Sequence, residues 1–217
     1  MTRRFYLVLG VLAFAFTCTT VCRAATPGEG GTWKPLWDGK SLAGWHKQGG
    51  GTWEIQDGVL AGRNVRTEPR HGHLITDKPL KDFTIRLKYK PAKGNSGFYF
   101  RVKEVGGNVG VHGFQSEIDP QVSPGGLYET GGRGWVAQPT AEFVKKHFKP
   151  GQWNEMIVSA HGTHIVTFIN GAQSVELKND TKSRREGHIA LQLHGGADVE
   201  VYFKDIEILD ESVARKK

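Results

Sequence analysis

Gly113-Phe114-Gln115-Ser116-Glu117-Ile118-Asp119 alternates polar and less polar side chains along its whole length. Successive residues of a strand point to opposite faces, so Gln115, Glu117 and Asp119 share one face and Phe114, Ser116 and Ile118 the other. A strand of this kind belongs to an antiparallel sheet with one face on a core. The pattern repeats outward in both directions. Upstream it predicts strands near Thr52 to Ile55, Val59 to Ala61, His73 to Thr76, Phe83 to Tyr89 and Ser96 to Val102. Downstream it predicts Met156 to His161, His164 to Ile169, Ser174 to Leu177, His188 to His194 and Val199 to Leu209. Asp57-Gly58 and Asn170-Gly171 supply the positive φ that two-residue hairpin turns need. One short helix is expected between Pro139 and Phe148, with Phe143, Val144 and Phe148 toward the core. About a dozen strands in roughly 180 residues predict an all-β fold, a two-sheet antiparallel β-sandwich of the jelly-roll type. The segment through Trp37 should lie beside the last strand and cover an edge.

The 217 residues, 38% hydrophobic and 24% charged, suit one folded domain and exclude a disordered or fibrous chain. Residues 1 to 24 read as a signal peptide. Arg3 and Arg4 precede the apolar run Phe5 to Phe16, and Arg23-Ala24-Ala25 closes the segment with small residues. The run is shorter than the ~20 residues a membrane span requires. The expectation is export to the periplasm or the extracellular space, without stable membrane insertion. Residues 25 to 30 then form a linker, 31 to 210 the jelly-roll catalytic domain and 211 to 217 a tail. Cleavage removes Cys18 and Cys22, whose contexts fit a lipid-attachment signal poorly, and so excludes a disulfide. It also removes three arginines, and the net charge falls from +7 to +4. The remaining basic residues are scattered, with no stripe of the sort phosphate backbones require, so nucleic acid is not an expected partner.

Several local patterns carry nothing. Gly39-Lys40-Ser41 lacks the upstream glycine of a phosphate loop, since position 34 is Lys. Asn179-Asp180-Thr181 is a glycosylation sequon that matters only in a eukaryotic secretory pathway. His71 and His73 read as structural, and Trp45, Trp53 and Trp153 as packing. More informative is a set of polar faces. Tyr99 and Arg101 share a face in one predicted strand, and Gln192 and His194 in another. If these faces meet that of Gln115, Glu117 and Asp119, one cleft gathers carboxylates, a guanidinium, an imidazole, amides and a phenol. The segment Tyr128 to Trp135 follows as a Gly-rich loop in which Tyr128, Glu129 and Arg133 are residue types that grip sugars.

A family resemblance joins these pieces. Leu36-Trp37-Asp38-Gly39-Lys40-Ser41-Leu42-Ala43-Gly44-Trp45, Trp53, Asp57-Gly58-Val59-Leu60, Leu74-Ile75-Thr76, Asp82-Phe83, Gly94-Asn95-Ser96-Gly97 to Arg101, Gly151-Gln152-Trp153-Asn154, Asn170-Gly171 and Leu191-Gln192-Leu193-His194 occur in order. Together they resemble the 3-keto-disaccharide hydrolase domain family, also described as 3-keto-glucoside 1,2-lyases and 3-keto-2-hydroxy-glucal hydratases. The resemblance implies a concanavalin-like jelly roll and an oxidised 3-keto disaccharide, oligosaccharide or glucoside as partner. Many members resemble G-Y-E-x-Q-I-x-D in the central strand. Here Gln115 and Glu117 exchange amide and acid, and Pro120 stands in place of the aspartate.

The implied chemistry needs a base near C2, an electrophile for the enolate and an acid for the departing oxygen. On this reading Glu117 is the base with Asp119 as partner, Arg101 is the clamp, and His194 is an acid or ligand. Tyr99, Gln115, Tyr128, Glu129, Arg133 and Gln192 bind substrate. A divalent metal is compatible with Glu117, Asp119 and His194, although no spacing requires one; no other cofactor is implied. Two alternatives compete. Glu117-Ile118-Asp119 resembles the opening of the E-I-D-x-x-E strand of jelly-roll glucanases, but position 122, where the closing acid would fall, is Val, so the acid is missing unless Glu129 replaces it. A non-catalytic carbohydrate-binding module would use the same polar face for hydrogen bonding alone.

Overall fold

The computed structural model describes residues 27–28, 30–119 and 123–210. The expected signal segment, the tail 211–217, Pro120 and Val122 lie outside the described residues. In chain order the strands are β1 (Trp33–Pro35), β2 (Trp45–Gly49), β3 (Thr52–Gln56), β4 (Val59–Asn64), β5 (Gly72–Thr76), β6 (Phe83–Lys93), β7 (Ser96–Glu104) and β8 (Val111–Ile118). They continue as β9 (Leu127–Thr130), β10 (Gly134–Ala137), then helix α1 (Ala141–His147), β11 (Asn154–His161), β12 (His164–Ile169), β13 (Ala172–Leu177), β14 (His188–Leu193) and β15 (Val199–Leu209). One sheet runs β13-β12-β11-β6-β15-β4-β3, with β1 on β15; the other runs β10-β9-β8-β7-β14-β5-β2. The pairings are antiparallel, and β1 lies along β15 from Trp33–Leu209 to Pro35–Glu207, closing the edge as expected.

The core is the space between the sheets. Phe98 and Phe100 of β7 and Phe114 of β8 point inward and stack. Phe100 and Phe114 have centroids 5.4 Å apart, and Phe83 of β6 meets Phe100 edge-on at 5.8 Å. These rings are at most 1% exposed. The two foreseen turns form as the residues dictate, with Asp57, Gly58, Asn170 and Gly171 all at positive φ. Helix α1 is capped by Thr140, whose hydroxyl accepts from the Phe143 amide at 3.1 Å. Phe148 just beyond it is buried, and Phe143 and Val144 pack on the core.

Three elements were not foreseen. Strand β2 alternates Trp45 inward with His46 and Gln48 outward, but is mostly polar and half-exposed, so its apolar signal is thin. The segment read as a Gly-rich loop is a hairpin, β9 and β10, turning at Gly131. Alternation along β7 also fails at one residue. Arg101 has φ +53, and the pairing to β8 shifts between Phe100 and Lys103. This bulge puts Val102, not Arg101, on the face of Tyr99, where the two cluster with Ile75, Val111 and Ala190. Arg101 therefore does not share the Tyr99 face, as strict alternation had predicted; it turns inward and donates to the Gly162 carbonyl in the turn between β11 and β12.

Phe100 sits at the centre of the aromatic stack, so Phe100→Ala is expected to cost about 3–5 kcal/mol of unfolding free energy. Urea denaturation checks this; a loss below about 1 kcal/mol would show that the stack is dispensable.

Candidate functional site

The outer face of the seven-stranded sheet carries two rows of side chains fixed by register. Gln48, His73, Gln192, Gly97 and Glu117 lie opposite one another across β2, β5, β14, β7 and β8. One pleat away, Ala190, Tyr99, Gln115, Tyr128 and Trp135 form the second row across β14, β7, β8, β9 and β10. Of the predicted site residues, the structure thus brings Tyr99, Gln115, Glu117, Tyr128 and Gln192 together. Asp119 lies just past the end of β8.

Glu117 is the centre of the first row and is buried. Its Oε1 accepts from Asn95 Nδ2 at 2.7 Å, and its Oε2 from Gln115 Nε2 at 3.1 Å. The same Asn95 amide donates to Asp119 at 3.1 Å, so one nitrogen ties the two carboxylates together. Burial pushes the Glu117 carboxyl up to about 8; the Asn95 hydrogen bond opposes the shift and the Asp119 charge adds to it. Gln115 reaches Glu117 only because position 97 has no side chain. A Cβ there would stand 2.5–2.7 Å from the Gln115 amide. The sequence reading missed Asn95, which lies in the two-residue connection Gly94-Asn95 that carries the chain from β6 of one sheet to β7 of the other.

The other end of the face is an imidazole cluster. His71 and His194 have ring centroids 4.4 Å apart, His71 and His73 are stacked at 6.2 Å, and His73 meets Tyr99 edge-on at 5.8 Å. Gln192 connects this cluster to the rest, its Nε2 bonding His71 Nδ1 at 2.8 Å and the Tyr99 hydroxyl at 3.4 Å. The Tyr99 hydroxyl also bonds Thr130 at 2.9 Å. His194 adjoins the carboxylates through its backbone amide, which donates to the Asn95 carbonyl at 3.3 Å. The segment 105–110 lies over this end, its Val105 and Gly110 carbonyls accepting from Gln48. Burial lowers His73 to about 3 and His71 to about 4, with the neighbouring imidazole contributing in each case. His71 and His73, read from sequence as structural, thus stand in the face itself.

Three predicted residues are placed elsewhere. Arg101 has turned to the core side at the bulge. Glu129 is opposite Phe114 on β8, on the inward side, and Arg133 ion-pairs with both Glu129 and Asp180, the latter through two 2.9 Å bonds. The partners expected for sugar thus hold one another at the β9–β10 turn. What remains at the open end is Trp135, 39% exposed, edge-on to Tyr128 at 5.3 Å. Among the described residues, no group of three or more His, Cys, Asp or Glu is placed to hold a metal ion. Nor is any helix among them long and apolar enough to cross a membrane.

Two outcomes follow. Gly97→Ala should displace Gln115 from Glu117 and cost about 1–3 kcal/mol by overpacking; unchanged stability in urea would show that the face can yield. The titrations set a pH profile. The two depressed imidazoles contribute stability that is present above about 6.5 and lost as pH falls toward 4 and 3. The raised Glu117 contributes stability that is present below its unfolded value and lost as pH rises toward 8. Two imidazoles outweigh one carboxyl on the acid side, so the melting temperature should climb from about pH 4 to 6.5 and then decline toward 8. His73→Phe should flatten the acid limb; an unchanged limb would remove the imidazoles as its cause.

A family described as 3-keto-alpha-glucoside-1,2-lyase-like domain matches residues 32–209. No functionally curated protein matches the chain. Among solved structures, a Parabacteroides distasonis protein described as a candidate glycosyl hydrolase is similar with TM-score 0.62 and 22% identity, over 84% of this chain and 94% of that one. A Bacillus subtilis carbohydrate-binding module follows with TM-score 0.58 and 15% identity over 75% and 93% of the two chains. A β-1,3-1,4-glucanase from a mouse hindgut metagenome has TM-score 0.51 and 14% identity, over 76% and 92%. At these identities the likeness shows a shared jelly-roll fold.

Proposed function

The chain belongs to the 3-keto-alpha-glucoside-1,2-lyase-like domain family, and from that premise we propose that it cleaves 3-keto-glucosides or 3-keto-disaccharides by β-elimination across C1 and C2, followed by hydration. The observation that carries this reading is the buried Glu117 carboxyl, held by Asn95 and Gln115 and raised to about 8. A ketone at C3 acidifies the C2 proton. Ionised Glu117 takes that proton, the electron pair forms the enolate, and collapse of the enolate expels the C1 oxygen as the C1=C2 bond forms. Water then adds its oxygen at C1 and a proton returns to C2, which makes the net reaction a hydrolysis. A carboxylate with a raised pKa is a stronger base than an ordinary one, and a base of about 8 suits a weakly acidic carbon.

The remaining roles follow position. Asp119, sharing the Asn95 amide, keeps Glu117 basic through its charge. His194, whose backbone amide bonds the Asn95 carbonyl, takes on this reading the role of acid for the departing oxygen. Gln192 and Tyr99 present polar groups along the same face, and Tyr128 with Trp135 offers an aromatic surface for the second sugar. Arg101, Glu129 and Arg133 take no part on this reading. Export through residues 1 to 24 belongs to the same proposal. The glucanase-type reading needs a second carboxylate across the scissile bond, whereas Glu129 faces away from Glu117.

The purified protein is to be incubated with a 3-keto-disaccharide and, separately, with its unoxidised parent, following enone absorbance and released sugar. Turnover of the keto form alone is expected; cleavage of the parent favours the glycosidase, and binding without turnover of either favours a sugar-binding module. Glu117→Gln should lower kcat at least ~1000-fold while the protein still melts cooperatively. The wild-type kcat/KM should rise with pH to a plateau above about 8, and Asp119→Asn should shift that limb to lower pH. A limb near the ordinary carboxylate range would assign the base elsewhere.

A further inference from the structure

Arg101 is 1% exposed, and only one of its three guanidinium nitrogens finds an acceptor. Nη2 donates to the Gly162 carbonyl at 2.9 Å, while Nε and Nη1 are buried without a partner. Unmet donors on a buried charge are expensive, and native structures rarely leave them so. The surroundings add positive charge. Arg185 donates to the same Gly162 carbonyl at 2.8 Å, and Arg184 donates to the Arg101 carbonyl at 3.3 Å. Arg101, His112, Lys182 and Arg184 border a cavity of about 150 Å³, together with Glu129 and the Gly131 turn. The acidic groups nearby are committed. Glu129 and Asp180 hold Arg133, and Asp82 accepts from the Gly162 amide at 2.8 Å. Among the described residues, no carboxylate ion-pairs with Arg101, Lys182, Arg184 or Arg185. Burial and the Arg185 charge lower the Arg101 pKa, outweighing the opposing charges of Asp82 and Asp180.

We propose that this cavity is an oxyanion site, taking a carboxylate, sulfate or phosphate group on the unmet donors of Arg101, with Lys182 and Arg184 at its rim. It is separate from the Glu117 face. Arg101 left that face at the β7 bulge, and the cavity opens between the β9–β10 turn and residues 182–184. The bulge thus has a purpose in this geometry: a left-handed residue that a glycine would adopt more easily is instead an arginine at the border of a partly open, cation-lined cavity. An anion there meets donors that are already desolvated and positioned, so little ordering opposes binding.

The full chain at pH 7 is to be titrated calorimetrically with inorganic phosphate, inorganic sulfate and glucuronate, against chloride at matched ionic strength. Saturable binding of at least one oxyanion, with none for chloride, is expected, and which ones bind separates a free inorganic anion from a sugar acid. Lys182→Ala and Arg184→Ala should each raise Kd about tenfold or more. Arg101→Met should abolish binding and raise the melting temperature in anion-free buffer, because the unpaired buried charge is gone. If Arg101→Met does not fold, the two rim variants decide. Absence of saturable binding by all three oxyanions, equal binding of chloride, or wild-type Kd values in both rim variants overturns the proposal.

Discussion

The pairing of β7 with β8 is the constraint on which the rest depends. Phe98, Phe100 and Phe114 can fill the space between the sheets only if Gly97, Tyr99, Gln115 and Glu117 face the other way. The strand pleat leaves no third choice. The aromatic stack that stabilises the sandwich therefore also fixes the position of the carboxylate, and a slip of one residue would exchange core and site.

Burial of that carboxylate is what gives the face its chemistry. Neither an exposed glutamate nor one paired with an arginine would be raised to about 8. Here the polar groups around Glu117 are neutral amides, and the nearest charge is the like-signed Asp119. The imidazoles at the other end obey the same physics with opposite sign, since desolvation keeps them neutral. Glu117, His71 and His73 thus share one face with their charged forms disfavoured, a condition bought with stability and rarely found on a surface that only packs.

Where a residue's position followed from alternation or turn chemistry, it was legible in the sequence. The sandwich, the pairing of first and last strands and both positive-φ turns needed nothing more, whereas alternation assigned Tyr99, Gln115, Glu117 and Gln192 to polar faces whose meeting depended on the strand order β8-β7-β14. Arg101 was not legible, because a bulge inserts one residue and reverses parity, and no residue type announced it. Glu129 and Arg133 looked like ligands for sugar because charge was visible while their partner Asp180, 47 positions beyond Arg133, was not. His71 and His73 read as ordinary because the groups packed on them, Tyr99, Gln192 and His194, lie far along the chain. Asn95 belongs to no strand, so a reading built on strand faces passed over it.

The Gly94-Asn95 connection joins β6 of one sheet to β7 of the other. Asn95 is therefore tethered by covalent bonds to both layers, while the carboxylate it holds belongs to one. A sliding of one layer over the other, even with every strand intact, is transmitted through two residues of chain to the Asn95–Glu117 contact. In mechanical terms the turn is a strain gauge, reporting the registry of the whole sandwich at the one point where its most perturbed acid is held.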